Sequence, residues 1–427
     1  MAKLWKKNDT KMHPTVEKYT AGTDYIFDAE LLPFDIQGSH AHVRGLEKIG
    51  ILSAKELKAV QKGFNVLEKD FEKGSVHITA ADEDCHTVIE NYLVEKIGEV
   101  GKKIHTGRSR NDQIAVAMRL YIKHRLLSLQ KSVKQLAKQF VQFAEKYEKV
   151  PMPGYSHTQQ AMLSTVGHYF AAYAESLLDD ADILTSTQQH LDKNPLGSAA
   201  GFGTSIPVDR KFTTKVLGFA DLQINSLYVQ NSRGKFESLY MEGLAQIMMT
   251  LGKFANDMML FTSQEFDFFA IDDSLVTGSS IMPHKKNLDS MEILRGNVSV
   301  LIANQLMVKE IAKNLLSGYN RDGQLIKKPM IESAHIVEDS LEVVSIFLEG
   351  LAPKPESIRS KIHNSMFTAD IANEMVLKEG IPFRDAYRKA AAMDIGEIDL
   401  DKNIASKSSL GAPGNIGLDI LRKRIQQ

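Results

Sequence analysis

The sequence contains a single cysteine, Cys85, among its 427 residues. One thiol excludes an intrachain disulfide, and the scarcity of cysteine is typical of chains that work in a reducing compartment. No run of about 18 apolar residues occurs, which argues against a membrane-spanning helix. The N-terminal stretch MAKLWKKNDTKMHPTVEKYT is too polar for a secretory signal peptide. We therefore expect a cytoplasmic protein without a membrane partner.

An excess of charge of either sign is also missing, since 53 acidic side chains stand against 52 basic ones. This balance gives no reason to expect nucleic acid as a partner. Metal-binding spacings such as HExxH or paired CxxC are absent, and so are the Walker A loop and the GxSxG nucleophile turn. We therefore expect no bound metal.

Glycine and proline are absent between Asn111 and Val150. Apolar residues in this stretch recur with spacings of three and four, which predicts a long helix packed against near-parallel neighbours. They are Leu126, Leu129, Val133, Leu136, Phe140, Phe143 and Tyr147. A helix of about 36 residues would span about 54 Å, which is too long for a compact mixed fold and favours a helical bundle.

Four further stretches have the same character. They are 157–192, 236–268, 288–316 and 324–350. Loops with glycine or proline separate them, and alternating strand patterns are almost absent. The sequence therefore predicts an all-α fold built on five long helices.

The composition of the chain divides it into three parts. Residues 1–105 show shorter helical patterns that are broken by glycine or proline, and 353–427 hold short amphipathic pieces after Pro353 and Pro355. We predict an N-terminal helical domain (1–105), a central long-helix bundle (106–352) and a small C-terminal helical domain (353–427).

The loops between the long helices carry short polar clusters, and several such clusters together suggest a site assembled from distant loops. The first cluster, HTGRSRNDQ, spans 105–113. A helix cap needs one small polar residue and neither arginine. Arg108 and Arg110 beside free helix amides would form an anion-binding site, whereas the structural alternative is a simple helix entrance.

Two more clusters are less specific. In PGYSHTQQ (153–160), Ser156 and His157 stand at the start of a predicted helix, where the dipole favours a neutral imidazole for proton transfer or hydrogen bonding. A lone histidine is more often structural. The cluster SGYNRDGQLIK (317–327) is, taken alone, best interpreted as a solvated loop that enters a helix.

The fourth cluster, GSSIMPHKKN, spans 278–287 just before the helix predicted from Leu288. Its lysine charges, its asparagine amide and the helix N-terminal N–H groups are donors suited to a developing negative charge. The alternatives are an oxyanion-binding loop or an ordinary basic surface loop.

Together these clusters resemble the signature motifs of the fumarase/aspartase superfamily, whose members cleave succinyl compounds to release fumarate. GSSIMPHKKN resembles the superfamily loop, and HTGRSRNDQ, PGYSH and YNRDGQLIK are similar to the TGRSRNDQ, PGYTH and YNRDxQxxK motifs of argininosuccinate lyases. Further matches are EDCH at 83–86, FDAELLPFDIQGSHAH at 27–42, SAAGFGTSIPVDR at 198–210 and IPFRDAY at 381–387. The resemblance covers nearly the whole chain.

The resemblance implies an α-helical homotetramer with a 20-helix core, to which each subunit contributes five helices, and active sites shared between three subunits. It also implies β-elimination of argininosuccinate to arginine and fumarate, in arginine biosynthesis, without a metal or other cofactor. Loss of the succinyl proton creates a doubly charged aci-carboxylate, which an enzyme must stabilise with donors already in place.

By resemblance, Ser279 is the base, and Lys285 and Asn287 hold the carboxylate that takes up the charge. A serine hydroxyl is a weak base, so it needs nearby amides and Lys285 to stabilise its alkoxide. His157, paired with Glu292, would protonate or orient the leaving side. The residues implied to bind the fumarate part are Ser109, Asn111 and Ser156. Those implied to contact the rest of the substrate are Asp28, Arg110, Tyr319, Gln324 and Lys327, the last three near its arginine portion.

Four positions depart from the family pattern. Asp24 stands where a serine is usual, Ala117 replaces an aspartate, and Leu163 and Leu288 each replace a proline. None of these departures removes a proposed catalytic group. The departure at Asp24 alone bears on substrate binding, since the serine usual there lies near the arginine portion.

Two kinds of alternative remain at this point: another fumarate-releasing lyase, or a catalytically silent homologue. The MPHK of the loop is common in adenylosuccinate lyases, although these lack the RSRND and YNRDxQ pair, while the loops of fumarases and aspartases are closer to MPGKVN. A catalytically silent homologue, like the lens crystallins of this family, is the other alternative. The presence of Ser279, His157, Lys285 and Glu292 argues against it.

Overall fold

The computed structural model describes residues 12–426, so the first eleven residues of the polar N-terminal stretch lie outside the described part. Most of the described chain is helical, which confirms the all-α prediction. The helices are α1 (Pro14–Ala21), α2 (Asp24–Lys48), α3 (Ala54–Glu72), α4 (Cys85–Ile97), α5 (Glu99–Lys102), α6 (Arg110–Lys146), α7 (Val166–Leu191), α8 (Arg210–Val216), α9 (Ser226–Asn231), α10 (Lys235–Phe261), α11 (Asp289–Ala312), α12 (Lys327–Glu349), α13 (Pro355–Ser360), α14 (Thr368–Glu379), α15 (Phe383–Ala391), α16 (Leu400–Ser406) and α17 (Leu418–Gln426).

Short strands and 3₁₀ turns complete the fold. The strands are β1 (Pro151–Ser156), β2 (Gln159–Thr165), β3 (Lys193–Asn194), β4 (Asp221–Leu222), β5 (Phe269–Ile271) and β6 (Leu351–Pro353). They form three two-stranded sheets: β1 with β2 and β5 with β6 antiparallel, and β3 with β4 parallel. The 3₁₀ turns are Lys103–His105, Asp273–Leu275, Arg321–Ile326 and Asn364–Phe367. Within residues 12–426, no helix has both the length and the apolar character needed to cross a bilayer.

The predicted long helices correspond to α6, α7, α10, α11 and α12, but one of them begins later than expected. Residues 157–165 are not helical, because the chain first forms the β1–β2 hairpin, and α7 starts only at Val166. Pro151 and Pro153 cannot continue a helix and favour extended backbone, so β1 offers 159–165 an extended partner. The prediction that Ser156 and His157 start a helix was therefore wrong.

The chain divides into two compact units. The first unit comprises residues up to 128, 184–244 and 301–335, and the second comprises 129–183, 245–300 and the residues from 336 on. The boundaries between the units fall inside the five long helices. The three-part division inferred from the sequence stays a prediction.

The core of the first unit lies between α2, α3 and α4. Leu32, Phe64 and Leu93 are fully buried there in one apolar cluster. A capping box starts α3: Ser53 accepts a hydrogen bond from the amide of Glu56, and the Glu56 carboxylate accepts one from the amide of Ser53. The apolar stripe of α3 therefore meets α2 and α4 in a fixed register.

The core of the second unit is aromatic. The ring centroids of Phe143 and Phe170 lie 4.1 Å apart, and Phe254 meets Phe140 edge-to-face at 5.1 Å. Tyr173 also packs on Phe254, at 5.3 Å. Such ring pairs add to the free energy gained by burying the apolar surface itself.

Three of the family departures have simple structural roles. Leu163 is 1% exposed and packs with Met366, Phe367 and Ile404, so a larger apolar residue fills this position. Ala117 is fully buried on α6. The carbonyl of Leu288 accepts hydrogen bonds from two amides in the first turn of α11, which starts without a proline.

Replacing Phe254 by alanine should lower the free energy of unfolding by about 3–5 kcal/mol, because a fully buried ring would leave a cavity among its aromatic neighbours. Denaturant unfolding followed by circular dichroism measures this change. Leu377→Ala is the control, since Leu377 is 86% exposed in the same unit. Equal losses in the two variants would contradict the assignment of Phe254 to the core.

Candidate active site

A cavity of about 380 Å³ in the first unit gathers residues from widely separated parts of the chain. Six of the nine residues implied to bind substrate line it: Asp28, Arg110, Asn111, Tyr319, Gln324 and Lys327. The other residues of its wall are Met12, Asp24, Glu83, Asp84, His86, Ile114, Arg233 and Arg321. The cavity is therefore strongly polar and carries charges of both signs.

Lys327, at the start of α12, is the most buried cation of the wall, with 4% of its side chain exposed. Its ammonium donates to Asp24 and, at 2.5 Å, to Asp28. The two carboxylates lie four residues apart on α2 and so share one face of that helix. Although burial disfavours the ammonium, Asp28 and Asp24 raise the pKa of Lys327.

Asp24 lies at the edge of this cluster. Burial raises the pKa of Asp24 to about 6, and Asp28 adds to the rise, while Lys327 opposes it. Asp28 is fully buried, and its second oxygen accepts a hydrogen bond at 3.0 Å from the backbone amide of Cys85. One ammonium thus serves two carboxylates.

The remaining acids of the wall each have a partner. Asp84 caps α4 by accepting from the amide of Thr87, and it pairs with Arg110 at 2.9 Å. Glu83 pairs with Arg321 at 2.5 Å. These pairs orient the arginines before any ligand arrives.

His86 forms a buried ion pair with Asp35, whose carboxylate lies 2.6 Å from Nδ1 of His86. Burial opposes both charges, yet the pairing raises the pKa of His86 and lowers the pKa of Asp35. Cys85 Sγ lies 3.7 Å from the same carboxylate, so the three side chains are close enough to hold a metal ion. In the structure, the imidazole and the carboxylate of this cluster pair with each other.

The two arginines of HTGRSRNDQ have different surroundings. Arg110 faces the cavity, whereas the buried Arg108 donates to Ser39 at 2.8 Å. The prediction that both arginines bind an anion was therefore wrong for Arg108. Ser109 caps α6 through a hydrogen bond that its hydroxyl accepts from the amide of Asn111 at 3.2 Å.

Asp112 connects the start of α6 to the glycine-rich loop at 198–210. Its carboxylate accepts from the amide of Ser109 at 2.8 Å and from the amides of Gly197 and Ala199, both at 3.0 Å. Burial raises the pKa of Asp112 to about 6, and the three amide hydrogen bonds oppose the rise. The Asp112 carboxylate therefore joins the start of α6 to a second loop.

The other predicted residues lie in the second unit. Ser156 ends β1, and His157 forms the two-residue hairpin turn with Thr158; both turn residues have positive φ, 53° and 60°. Ser156 and His157 are exposed. Within the described chain, no hydrogen bond or ion pair joins His157 to Glu292, which is exposed in the first turn of α11.

The GSSIMPHKKN loop is closed at its base by a pair of hydrogen bonds between Thr277 and Asn287, at 3.0 and 2.8 Å. The side-chain amide of Asn287 also donates to the carbonyl of Gly278 at 3.3 Å. Inside the loop, Ser279 Oγ accepts from the amides of Ile281 and Met282, at 3.3 and 3.1 Å. Two N–H donors aimed at one hydroxyl oxygen favour its alkoxide form.

The two lysines of this loop differ. Lys286 forms an ion pair with Asp273. Lys285 is exposed, and its ammonium has no partner among residues 12–426. Its positive charge is therefore available to an incoming anion.

A larger cavity of about 1220 Å³ lies in the second unit, between the β1–β2 hairpin, α14 and α16. None of the predicted site residues lines it. Its deepest charges, Lys407 and Asp370, pair with each other at 3.1 Å. The smaller cavity of the first unit is thus the better candidate for substrate binding.

Sequence reasoning missed several residues of the smaller cavity. EDCH at 83–86 supplies Glu83, Asp84 and His86, which entered the prediction only as a matching motif. Arg321 likewise entered only as part of the YNRDGQLIK motif. Arg233 gave no recognisable signal, because it stands in a short turn whose place in the fold depends on tertiary structure.

Comparisons of the sequence with known proteins all match lyases. Residues 10–302 match a family model described as "Lyase". The argininosuccinate lyase of Thermotoga neapolitana is 41% identical over 389 residues, which cover 91% of this chain and 97% of that protein. The argininosuccinate lyase of Xanthomonas campestris is 39% identical over 424 residues, 99% of this chain and 98% of that protein.

Solved structures share the fold at lower identity. EDDS lyase in complex with formate has a TM-score of 0.78 at 22% identity, covering 98% of this chain and 91% of that chain. A fumarate lyase:delta crystallin from Brucella melitensis has a TM-score of 0.73 at 19% identity, covering 94% and 91%.

Replacing Asp112 by alanine should release the glycine-rich loop, because three amides would lose their acceptor at a cost of roughly 1–3 kcal/mol each. We expect faster hydrogen exchange at Gly197 and Ala199 and a lower unfolding midpoint. Asp112→Asn keeps one carbonyl acceptor and should show a smaller change in both measurements. Unaltered exchange in Asp112→Ala would mean that the loop is held by other contacts.

Proposed function

This chain belongs to the argininosuccinate lyase family, and from that premise we infer that it cleaves argininosuccinate into arginine and fumarate by β-elimination. The observation that carries the inference is the environment of Ser279, whose oxygen accepts two amide hydrogen bonds in the loop that also presents the free ammonium of Lys285. That arrangement suits a base that removes a weakly acidic proton.

In the proposed reaction, Ser279 takes a proton from the succinyl CH₂ carbon, which is bonded to the carbon that bears the leaving nitrogen. The electron pair moves into the adjacent carboxylate, which becomes doubly charged, and Lys285 and Asn287 stabilise it. The pair then returns to form the C=C bond of fumarate while the C–N bond breaks and its electrons go to the leaving guanidino nitrogen. His157, assisted by Glu292, protonates or orients that nitrogen.

The remaining site residues have binding roles in this proposal. Ser109, Asn111 and Ser156 bind the fumarate part. The cavity residues bind the rest of the small-molecule substrate: Asp28, Arg110, Tyr319, Gln324 and Lys327.

We also propose a cytoplasmic homotetramer with shared active sites and a 20-helix core. One support is α11, where exposed residues alternate at spacings of three and four: Ile293, Gly296, Val300, Ala303 and Met307. Ile293 is 66% exposed and Val300 is 47% exposed. Such a seam is typical of a helix that packs against near-parallel neighbours. The N-terminal, central and C-terminal division at 105 and 352 belongs to the same proposal.

Replacing Ser279 by alanine should reduce fumarate release from argininosuccinate by at least about a hundredfold, because the base is removed. Ultraviolet absorbance of fumarate measures the rate. Ser280→Ala is the matched control, since it removes the neighbouring hydroxyl of the same loop and should retain activity. Release from adenylosuccinate in place of argininosuccinate would favour the adenylosuccinate lyase alternative, and a folded wild-type protein inactive on both would favour a silent homologue.

Mixing inactive Ser279→Ala and His157→Asn proteins under conditions of subunit exchange should restore about one quarter of wild-type activity, because a shared site draws these two residues from different subunits. Mass spectrometry of the mixed oligomers verifies the exchange. If exchange is complete and activity does not return, the two residues act within one chain.

A further inference from the structure

The charges around Lys327 do not balance. Asp84 and Glu83 each have their own arginine, but Asp24 and Asp28 share one ammonium. A second buried carboxylate without its own cation is costly unless another cation reaches it. The burial that raises the pKa of Asp24 to about 6 is the sign of that cost. The part of the cavity wall around Lys327 can thus accept one more positive charge.

Of the two carboxylates, Asp24 and not Asp28 can accept a further hydrogen bond. Asp28 is 0% exposed, and its two oxygens are taken by Lys327 and by the amide of Cys85. The side chain of Asp24 is 11% exposed and lines the cavity, and within residues 12–426 it has a hydrogen bond only to Lys327. An added donor can therefore approach Asp24 from the cavity, whereas Asp28 acts through Lys327.

The same cavity also offers free positive charge. Arg233 lies over the ring of Tyr319, with 5.5 Å between the guanidinium carbon and the ring centroid. Its buried Nη1 atom has no hydrogen-bond partner within the described part of the chain. A carboxylate that can accept another donor and a guanidinium without a carboxylate partner among residues 12–426 line one cavity. They fit a ligand group that carries both charges, as the head group of an amino acid does.

We propose that Asp24 is a specificity-determining residue that accepts a hydrogen bond from the α-ammonium of the substrate's arginine portion. This inference rests on the proposed function. The other cation of that portion, the guanidino group, carries the bond that breaks and so belongs with the base and the acid of the reaction. The α-ammonium is the cation left for the cavity, with the α-carboxylate beside it for Arg233 and Lys327.

The reverse reaction tests the proposal, because arginine and fumarate are then separate substrates. In Asp24→Asn, kcat/KM for arginine should fall roughly ten- to a hundredfold, as expected for a lost charged hydrogen bond. The KM for fumarate should not change. With 5-guanidinopentanoate, which is arginine without its α-ammonium, wild type and variant should be equally slow. The proposal would be overturned if the KM for fumarate rose by as large a factor as kcat/KM for arginine falls.

Two further variants keep the test decisive. Asp24→Ala removes the charge and the hydrogen-bond acceptor with a smaller side chain and should show the same selective loss if Asp24→Asn folds poorly. Glu30→Gln removes an acid from the same helix that pairs with Arg125 and does not line the cavity, so its kinetics should match wild type. Wild type inactive in both directions would refute the proposed function. Active wild type with unchanged kcat/KM for arginine in both Asp24 variants would refute this inference alone.

Discussion

The buried ammonium of Lys327 is the interaction on which the cavity of the first unit depends. Removing three charged groups from water costs several kcal/mol per ion, and the cost is offset only where the groups form direct hydrogen bonds. Lys327 forms two, and they join the start of α12 to the first turns of α2. Asp28 continues the connection to α4 through the amide of Cys85. Three helices that are distant in sequence thus meet at one positive charge.

In the proposed function, the first unit supplies the binding cavity and the second unit supplies the loop that carries the base. In the cavity, Asp84, Glu83 and Asp28 are paired with cations before a ligand arrives, so little reorganisation of these groups remains when it binds. The GSSIMPHKKN loop is exposed and is held at its base by the two hydrogen bonds between Thr277 and Asn287. The proposed binding residues of the cavity and the proposed base thus come from different segments of the chain.

The sequence predicts the helical architecture well because long helices leave a clear periodic signal. It fails at 157–165, where the apolar pattern before α7 fits a helix or a strand and the choice is made by pairing with β1. The sequence alone does not distinguish the roles of Arg108 and Arg110. The structure shows that Arg108 is buried against Ser39, whereas Arg110 faces the cavity. Arg233 is not predictable at all, since its place in the wall follows from tertiary packing.

The turn at His157 carries an argument about function that does not depend on likeness to other proteins. A two-residue hairpin with positive φ at both positions favours asparagine and glycine, which adopt that conformation at little cost. Here a histidine and a threonine occupy it, at φ 53° and 60°. An exposed imidazole gains little from packing, so the strain has no local compensation in the hairpin itself. A side chain held at this cost supports the proposal that His157 protonates or orients the leaving side.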